Sequence, residues 1–232
     1  MKKTTILAGS AFLAVSLFSG FYMGSEKEVA VITRIYSDVK VKTEKGDWQE
    51  AKKASWLANG DNLRTGEKAT AVLKFKDGSV LRIRPNSELA VYADRAGTKI
   101  DKQVQIDVGA VGFDVRKRKE ESFSFSSPTS VASIRGTDGG YSIDDNFDML
   151  FVNSGLASLT NKANNQSVEV GSGQVGALDK KGGVLDKRTM TDADKQKLTG
   201  LQSDADGAVK TLKIDVEMPD GSKKSLEIEI EE

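Results

Sequence analysis

The sequence predicts an all-β fold: many short antiparallel strands in a sandwich- or roll-like domain, with a short helix and a C-terminal β-hairpin. Three observations carry this. Apolar and polar residues alternate in short runs from Val29 to Ala177. Turn residues punctuate those runs at intervals of roughly 8–12 residues, and glycine is frequent (22) while proline is scarce (3). No helical stripe of about ten or more residues interrupts this region.

Taken in order, Val29 and Val31, then Val39 and Val41, alternate with polar neighbours as in half-buried strands. Gly46-Asp47-Trp48 reads as a turn, and Ala51 to Leu57 as a short turn of helix. Trp48 and Trp56, the only tryptophans, read as core or edge-packing residues. The clearest hairpin places Ala71, Leu73 and Phe75 opposite Leu81 and Ile83. Asp77-Gly78 is its turn, a pair suited to positive φ at both positions. Val104, Ile106 and Val108 pair with Val111, Phe113 and Val115 around Gly109. Phe123 and Phe125 lead into the most distinctive stretch, Ser127-Pro128 through Arg135-Gly136-Thr137-Asp138-Gly139-Gly140, read as two strand pieces about a turn. Phe147, Met149 and Phe151 then precede an Asn153-Ser154-Gly155 turn, and Val168, Val170 and Val175 end the series.

Lys180-Lys181-Gly182-Gly183 marks a change of character. Thr191-Asp192-Ala193-Asp194 is a helix start, an N-cap residue followed by first-turn acids, and Gly200 limits the helix. Leu212, Ile214, Val216 and Met218 share one face of a last hairpin with Leu226, Ile228 and Ile230 across a Pro219-Asp220-Gly221-Ser222 turn. Its other face is acidic. A lone hairpin is marginal in water, so this one must dock on the domain, pair with a sheet edge or meet another chain.

At the N-terminus, Met1-Lys2-Lys3 precedes an uncharged run from Thr4 to Gly24. The run is long enough to span a bilayer, and the lysines place its start in the cytoplasm. Signal peptide and transmembrane anchor are both open, with the retained anchor preferred because no good cleavage site follows. The expected organisation is residues 1–24 as signal or anchor, 29–178 as a β domain, and 179–232 as helix plus hairpin. The β domain is then exported and periplasmic, held in the inner membrane through residues 4–24 if these are uncleaved.

Composition excludes several classes of function. Lys plus Arg equals Asp plus Glu at 34 each, which argues against nucleic acid as a partner. The chain has no cysteine and no histidine. Cys/His zinc sites, Ser-His-Asp triads and redox dithiols are therefore excluded. Asp204-Ala205-Asp206-Gly207 fails as a calcium loop, because Gln202 and Lys213 stand where acids are needed. Asp144-Asp145-Asn146-Phe147-Asp148 reads as a solvated hairpin tip, and the basic run Arg116-Lys117-Arg118-Lys119 as a solvated strand end. No cofactor, metal or catalytic residue is expected, and the reading is non-enzymatic.

The chain from about Val29 to Ala177 resembles the FecR domain family. The matching pieces are Gly60-Asp61 with Arg64-Thr65-Gly66, Leu73 through Asp77-Gly78-Ser79, and Gly109-Ala110-Val111. The fullest match is Ser127-Pro128 through Ile134-Arg135-Gly136-Thr137, closed by Gly171-Ser172-Gly173-Gln174. The resemblance implies an exported all-β domain. In its best-known members that domain senses a TonB-dependent outer-membrane receptor and controls a sigma factor. Those members carry a sigma-binding region ahead of the membrane span, and here Met1 to Lys3 precede it. The expectation is a stand-alone exported domain. The resemblance carries no catalytic residues, so Gly60, Asp61, Arg64, Thr65, Asp77, Gly78, Pro128, Arg135, Gly136, Thr137, Gly173 and Gln174 are read as structural. Arg135 is expected to pair with Asp138 or Asp61, and Thr137 to close the turn through its hydroxyl.

Function follows as protein interaction or signal relay at the cell envelope, by strand addition at a β edge or at the hairpin. The partner is then another envelope protein. The alternatives are a self-associating structural or envelope-assembly protein, and a carbohydrate- or peptidoglycan-binding module with exposed tryptophans.

Overall fold

A computed structural model describes residues 28–203, 210–217 and 223–230. The expected signal or anchor segment, the Asp204–Gly207 stretch and the Pro219–Ser222 turn lie outside the described residues. Among the described residues no helix is long and apolar enough to cross a membrane. The chain opens with β1 (Glu28–Tyr36), β2 (Val39–Lys42), β3 (Gln49–Glu50), β4 (Trp56–Ala58) and β5 (Asn62–Thr65). Then come β6 (Thr70–Phe75), β7 (Val80–Ile83), β8 (Glu88–Ala96) and β9 (Lys99–Asp114). β10 (Glu121–Ser126), β11 (Ser130–Ile143), β12 (Phe147–Asn161), β13 (Ser167–Gly171), β14 (Gln174–Asp179) and β15 (Leu185–Thr189) follow. Helix α1 (Asp192–Gln202) and the paired β16 (Lys210–Glu217) and β17 (Lys223–Ile230) complete it.

The fold is nearly all-β, as expected. Its main sheet has 15 strands, ordered β15-β14-β12-β11-β10-β9-β7-β6-β1-β4, with β2, β3, β5, β8 and β13 paired off that path. Three long strands organise it, and each changes partner at a glycine with positive φ. In β9, residues 99–108 pair with β8, and the stretch beyond Gly109 (φ 106°) pairs with β7 and β11. In β11 the change falls at Gly136 (φ 62°), from β10 to β9. In β12 it falls at Gly155 (φ 98°), from β14 to β13. A strand that turns a corner this way serves two layers, which is how the roll closes.

This corrects three sequence expectations. The turns read at Gly109, at Arg135-Gly136 and at Asn153-Ser154-Gly155 are bends within continuous strands. Alternation slips phase at a bend as it does at a turn, so the pattern looks the same locally. One pair also departs from the antiparallel expectation, since β10 runs parallel to β9, with Glu121 opposite Ile100. The bend brings the two ends of β9 together: Asp114 pairs with Val80 while Lys102 bonds Asp77 on the turn before it. A chain leaving Asp114 therefore re-enters beside the start of β9 in the same direction.

Smaller differences have local causes. Residues 51–57 form no helical turn. Ala54 sits at φ 66° and its N–H bonds Ile32 C=O, sending Trp56 into β4. A register shift in β1 buries Ala30 and Ile32, leaving Val31 half-buried. At Asp77-Gly78 only Gly78 has positive φ (87°). Gly78 N–H bonds Phe75 C=O and Phe75 N–H bonds Ser79 C=O, so the loop is a type I turn with a glycine bulge.

The core lies inside the roll. Although aromatics are only 6% of the chain, Phe75, Phe123, Phe125, Phe113 and Tyr141 gather there: Phe75 meets Phe123, and Phe125 meets Phe123, Phe113 and Tyr141, at ring-centroid distances of 4.8–6.0 Å. Val, Ile and Leu of both layers surround them. On the outer face, α1 crosses β12, β11 and β9 and buries Leu198 and Leu201 with Phe151, Val175 and Met190. Thr191 caps it as expected, accepting from Asp194 N–H while Asp194 accepts from Thr191 N–H. Arg188 pairs with the Asp194 carboxylate, which with the Thr191 bonds holds that carboxyl well below its usual range. The helix continues past Gly200 to Gln202, its exposed side tolerating the glycine.

Candidate functional site

The signature residues close the backbone. Gly60 (φ 88°) turns the chain between β4 and β5, and buried Asp61 accepts Ala58 N–H at 2.8 Å. Buried Thr65 donates to Arg84 C=O (2.7 Å) and accepts from Ser87 N–H (3.0 Å). The Arg64 guanidinium lies 4.4 Å from the centre of the half-buried Trp48 ring. Thr137 is 1% exposed and donates to Leu156 C=O across the β11 bend (2.7 Å). Gly173 (φ 73°) and Gln174, whose side-chain carbonyl accepts Gly171 N–H, shape the β13–β14 turn. The expected Arg135 pairing with Asp138 or Asp61 is not formed. Asp61 is turned to Ala58, and Asp138 accepts from Gln202 on α1 and from Asn153 (2.7 Å).

A signature turn and a signature bend far apart in sequence meet the basic run. Asp77 and Arg135-Gly136 line one crevice with Arg116, Lys117, Arg118 and Glu121. A Cβ on Gly136 would lie 2.7 Å from Lys117 Cβ, and one on Gly78 would lie 3.2 Å from Arg116 Nε. Arg118 donates to Asp77 C=O at 3.0 Å. Arg116, Lys117, Arg118 and Arg135 are exposed. In sequence the run and the motif stand apart, and only the closing of the roll brings them together.

Beneath these cations lies an ion triad of buried Lys102 and Asp77 with half-buried Glu121. Lys102, 5% exposed, bonds Asp77 at 2.8 Å and also pairs with Glu121. Burial pushes the Asp77 carboxyl up, but bonds from Lys102 and from Ser79 N–H and hydroxyl outweigh it and hold it below the usual carboxylate range. A depressed carboxyl adds stability that is present above its unfolded pKa of about 4 and lost as pH falls through the lower folded value. Urea titration should therefore find stability falling below about pH 4. Asp77→Asn should flatten part of that slope. The remainder belongs to Asp144 and Asp194, which are depressed in the same sense.

A second polar centre stands at Ser127-Pro128-Thr129-Ser130. Asp148, read from sequence as part of a solvated tip, is fully buried. One carboxylate oxygen accepts the hydroxyls of Ser127 (2.5 Å), Thr129 (2.6 Å) and Ser130 (2.7 Å). The other has no well-directed hydrogen bond but faces the Lys180 ammonium at 3.1 Å. With its proton given to Asp148, Ser130 accepts from Tyr141 OH at 2.6 Å. Burial and then the Asp148 charge raise the Tyr141 phenol, so it stays protonated. A groove of about 280 Å³ opens beside this network, lined by exposed Pro128 with Thr129, Lys162 and Lys180. Both lysines are committed to framework, Lys162 to Ser126 and Ser127, Lys180 to Asp144 C=O and Asp148. Asp144 folds back on Asn146 and Phe147 N–H.

Of the two tryptophans read as core or edge-packing, Trp48 is half-buried and Trp56 sits on β4 at the end of the sheet order. Trp56 is 45% exposed, with the Lys76 ammonium 5.6 Å from its ring centre.

The FecR protein family model matches residues 61–175. No curated protein matches the sequence. Two solved structures of a candidate anti-sigma factor from Parabacteroides distasonis, at 1.65 and 2.50 Å resolution, are similar in fold. Their TM-scores are 0.49 and 0.48 at 11% and 12% identity, over 55% of this chain and 59% of that one. The chain thus spans less than two thirds of that protein's length. The matched region holds the Asp77-Gly78 turn and all three bent strands, and over that region the chain matches the FecR protein family.

Proposed function

We propose that residues 28–203 form a non-enzymatic, periplasmic recognition domain of an envelope protein, one that relays a signal by binding another envelope protein. Residues 1–24 deliver it across the inner membrane, as signal or as anchor. The observation that carries the binding assignment is the convergence of Arg116, Lys117, Arg118 and Arg135, all exposed, at the crevice between Asp77 and the Arg135-Gly136 bend. The crevice encloses about 10 Å³, room for no more than one water. These cations therefore suit the acidic surface of a macromolecule rather than an enclosed small ligand. In the carbohydrate reading Trp56 would be the platform, and Lys76 already occupies a face of its ring.

The test is photo-crosslinking in cells from position 118, with position 187 on β15 as control. A discrete crosslinked protein should appear from 118. Arg116→Glu with Arg135→Glu should abolish it while leaving the melting temperature within about 2 °C of the parent, since exposed charges contribute little to stability. An undiminished crosslink in the double variant would exclude the crevice as the binding site.

A further inference from the structure

The outer face of the roll is covered by α1 only in part. Cross-strand neighbours share a face, so the register extends the floor under the helix. Gly112, over which Leu201 lies, is paired with Arg82, Arg82 with Val72, and Val72 with Arg34. The adjoining row runs through Val80, Lys74, Val31 and Trp56. This β7–β6–β1 face therefore joins three half-buried valines and an exposed indole to four cations, Arg34, Lys74, Arg82 and Arg84. α1 delivers the chain to its margin, where Arg84 donates to Ser203 C=O at 3.2 Å.

The hairpin begins seven residues later, at Lys210. Seven residues reach at most about 25 Å, and three strands span about 15 Å. Its register sets Leu212 opposite Ile228 and Ile214 opposite Leu226, so those four residues share one apolar face with Val216 and Ile230. From Asp204 to Glu232 there are nine acidic residues and four lysines, a net charge of −5. A two-stranded sheet with one apolar face is marginal in water unless that face is covered.

We propose that the β16–β17 hairpin docks on the β7–β6–β1 face of its own chain. Its apolar face lies over Val31, Val72, Val80 and Trp56, while the long side chains of Arg34, Lys74, Arg82 and Arg84 reach past its edges towards the acidic residues of its outer face. The short connection favours the same chain over a second copy, because so short a tether gives a millimolar effective concentration. The hairpin then completes a second layer over the sheet and continues the cover that α1 begins.

The absence of cysteine makes the test clean. Val72→Cys combined with Ile228→Cys is placed in the full chain and treated at sub-micromolar concentration with a bismaleimide of about 10 Å reach, the spacing of stacked sheets. The expected product is a crosslink within one chain, mapped to positions 72 and 228. Lys187→Cys with Ile228→Cys, which puts the first cysteine on the far edge strand, should not crosslink. Crosslinked dimers in place of monomers would assign the face to a second copy and overturn the proposal, as would a yield no higher than the Lys187 control. Hydrogen exchange gives a second reading. Arg34→Glu with Arg82→Glu should speed exchange of the β16–β17 amides at least tenfold, and unchanged rates would also overturn it.

Discussion

Asp148→Ala should lower the melting temperature of the domain by roughly 10 °C, the largest loss expected from a single side chain. Asp148 is fully buried and is the shared acceptor for three hydroxyls and a lysine. Truncating it leaves Lys180 facing a void and removes the acceptor that orders Ser127, Thr129, Ser130 and, through Ser130, Tyr141. Removing one partner of a buried ion pair costs about 3–5 kcal/mol, and for a domain of this size each kcal/mol shifts the midpoint by about 2–4 °C. Asp148→Asn keeps the shape and one acceptor oxygen and should recover part of the loss. Calorimetry of the two variants distinguishes the explanations: equal losses would mean that the charge facing Lys180 carries the effect, not the acceptor for the hydroxyls.

The strand pattern around this centre was legible, but the centre was not. Asp144, Asp145 and Asp148 look alike in sequence, as an acidic turn after a strand. Asp148 is buried because β12 begins at Phe147, and its second residue points inward towards Ser130 on β11. Parity within a strand depends on where the strand starts, and strand boundaries are what periodicity resolves least well.

Gly112→Ala should detach the helix while leaving the roll intact. A Cβ at Gly112 would stand 2.1 Å from the Leu201 carbonyl oxygen, a backbone atom that cannot rotate away. At Gly140 the added carbon would meet Leu201 Cδ1 at 2.6 Å. Side chains can yield there, so Gly140→Ala should do less. Releasing Leu198 and Leu201 from the sheet forfeits about 1.5–3 kcal/mol for each. The α1 amides of Gly112→Ala should exchange with solvent at least tenfold faster, and proteases should cut between Met190 and Ser203, with the β9 and β11 amides still protected. Unaltered protection across α1 would refute the seating role of this glycine.

The all-β class, the Asp77-Gly78 hairpin, the capped helix and the register of the last hairpin follow from local chemistry. Alternation at period two, turn residues and a Thr-to-Asp capping box act within a few neighbours, and so they can be read from the chain alone. The family signature was equally legible as an ordered set of residues. Its meaning was not. Gly109, Gly136 and Gly155 look like turns until their strands are seen to change partners, because pairing is a relation between segments tens of residues apart. The same distance hid the meeting of Arg135 with Arg116, Lys117 and Arg118. Each was surface charge in sequence, and they became one site only when the bent β9 brought its ends together and the roll closed around Phe113, Phe125 and Tyr141.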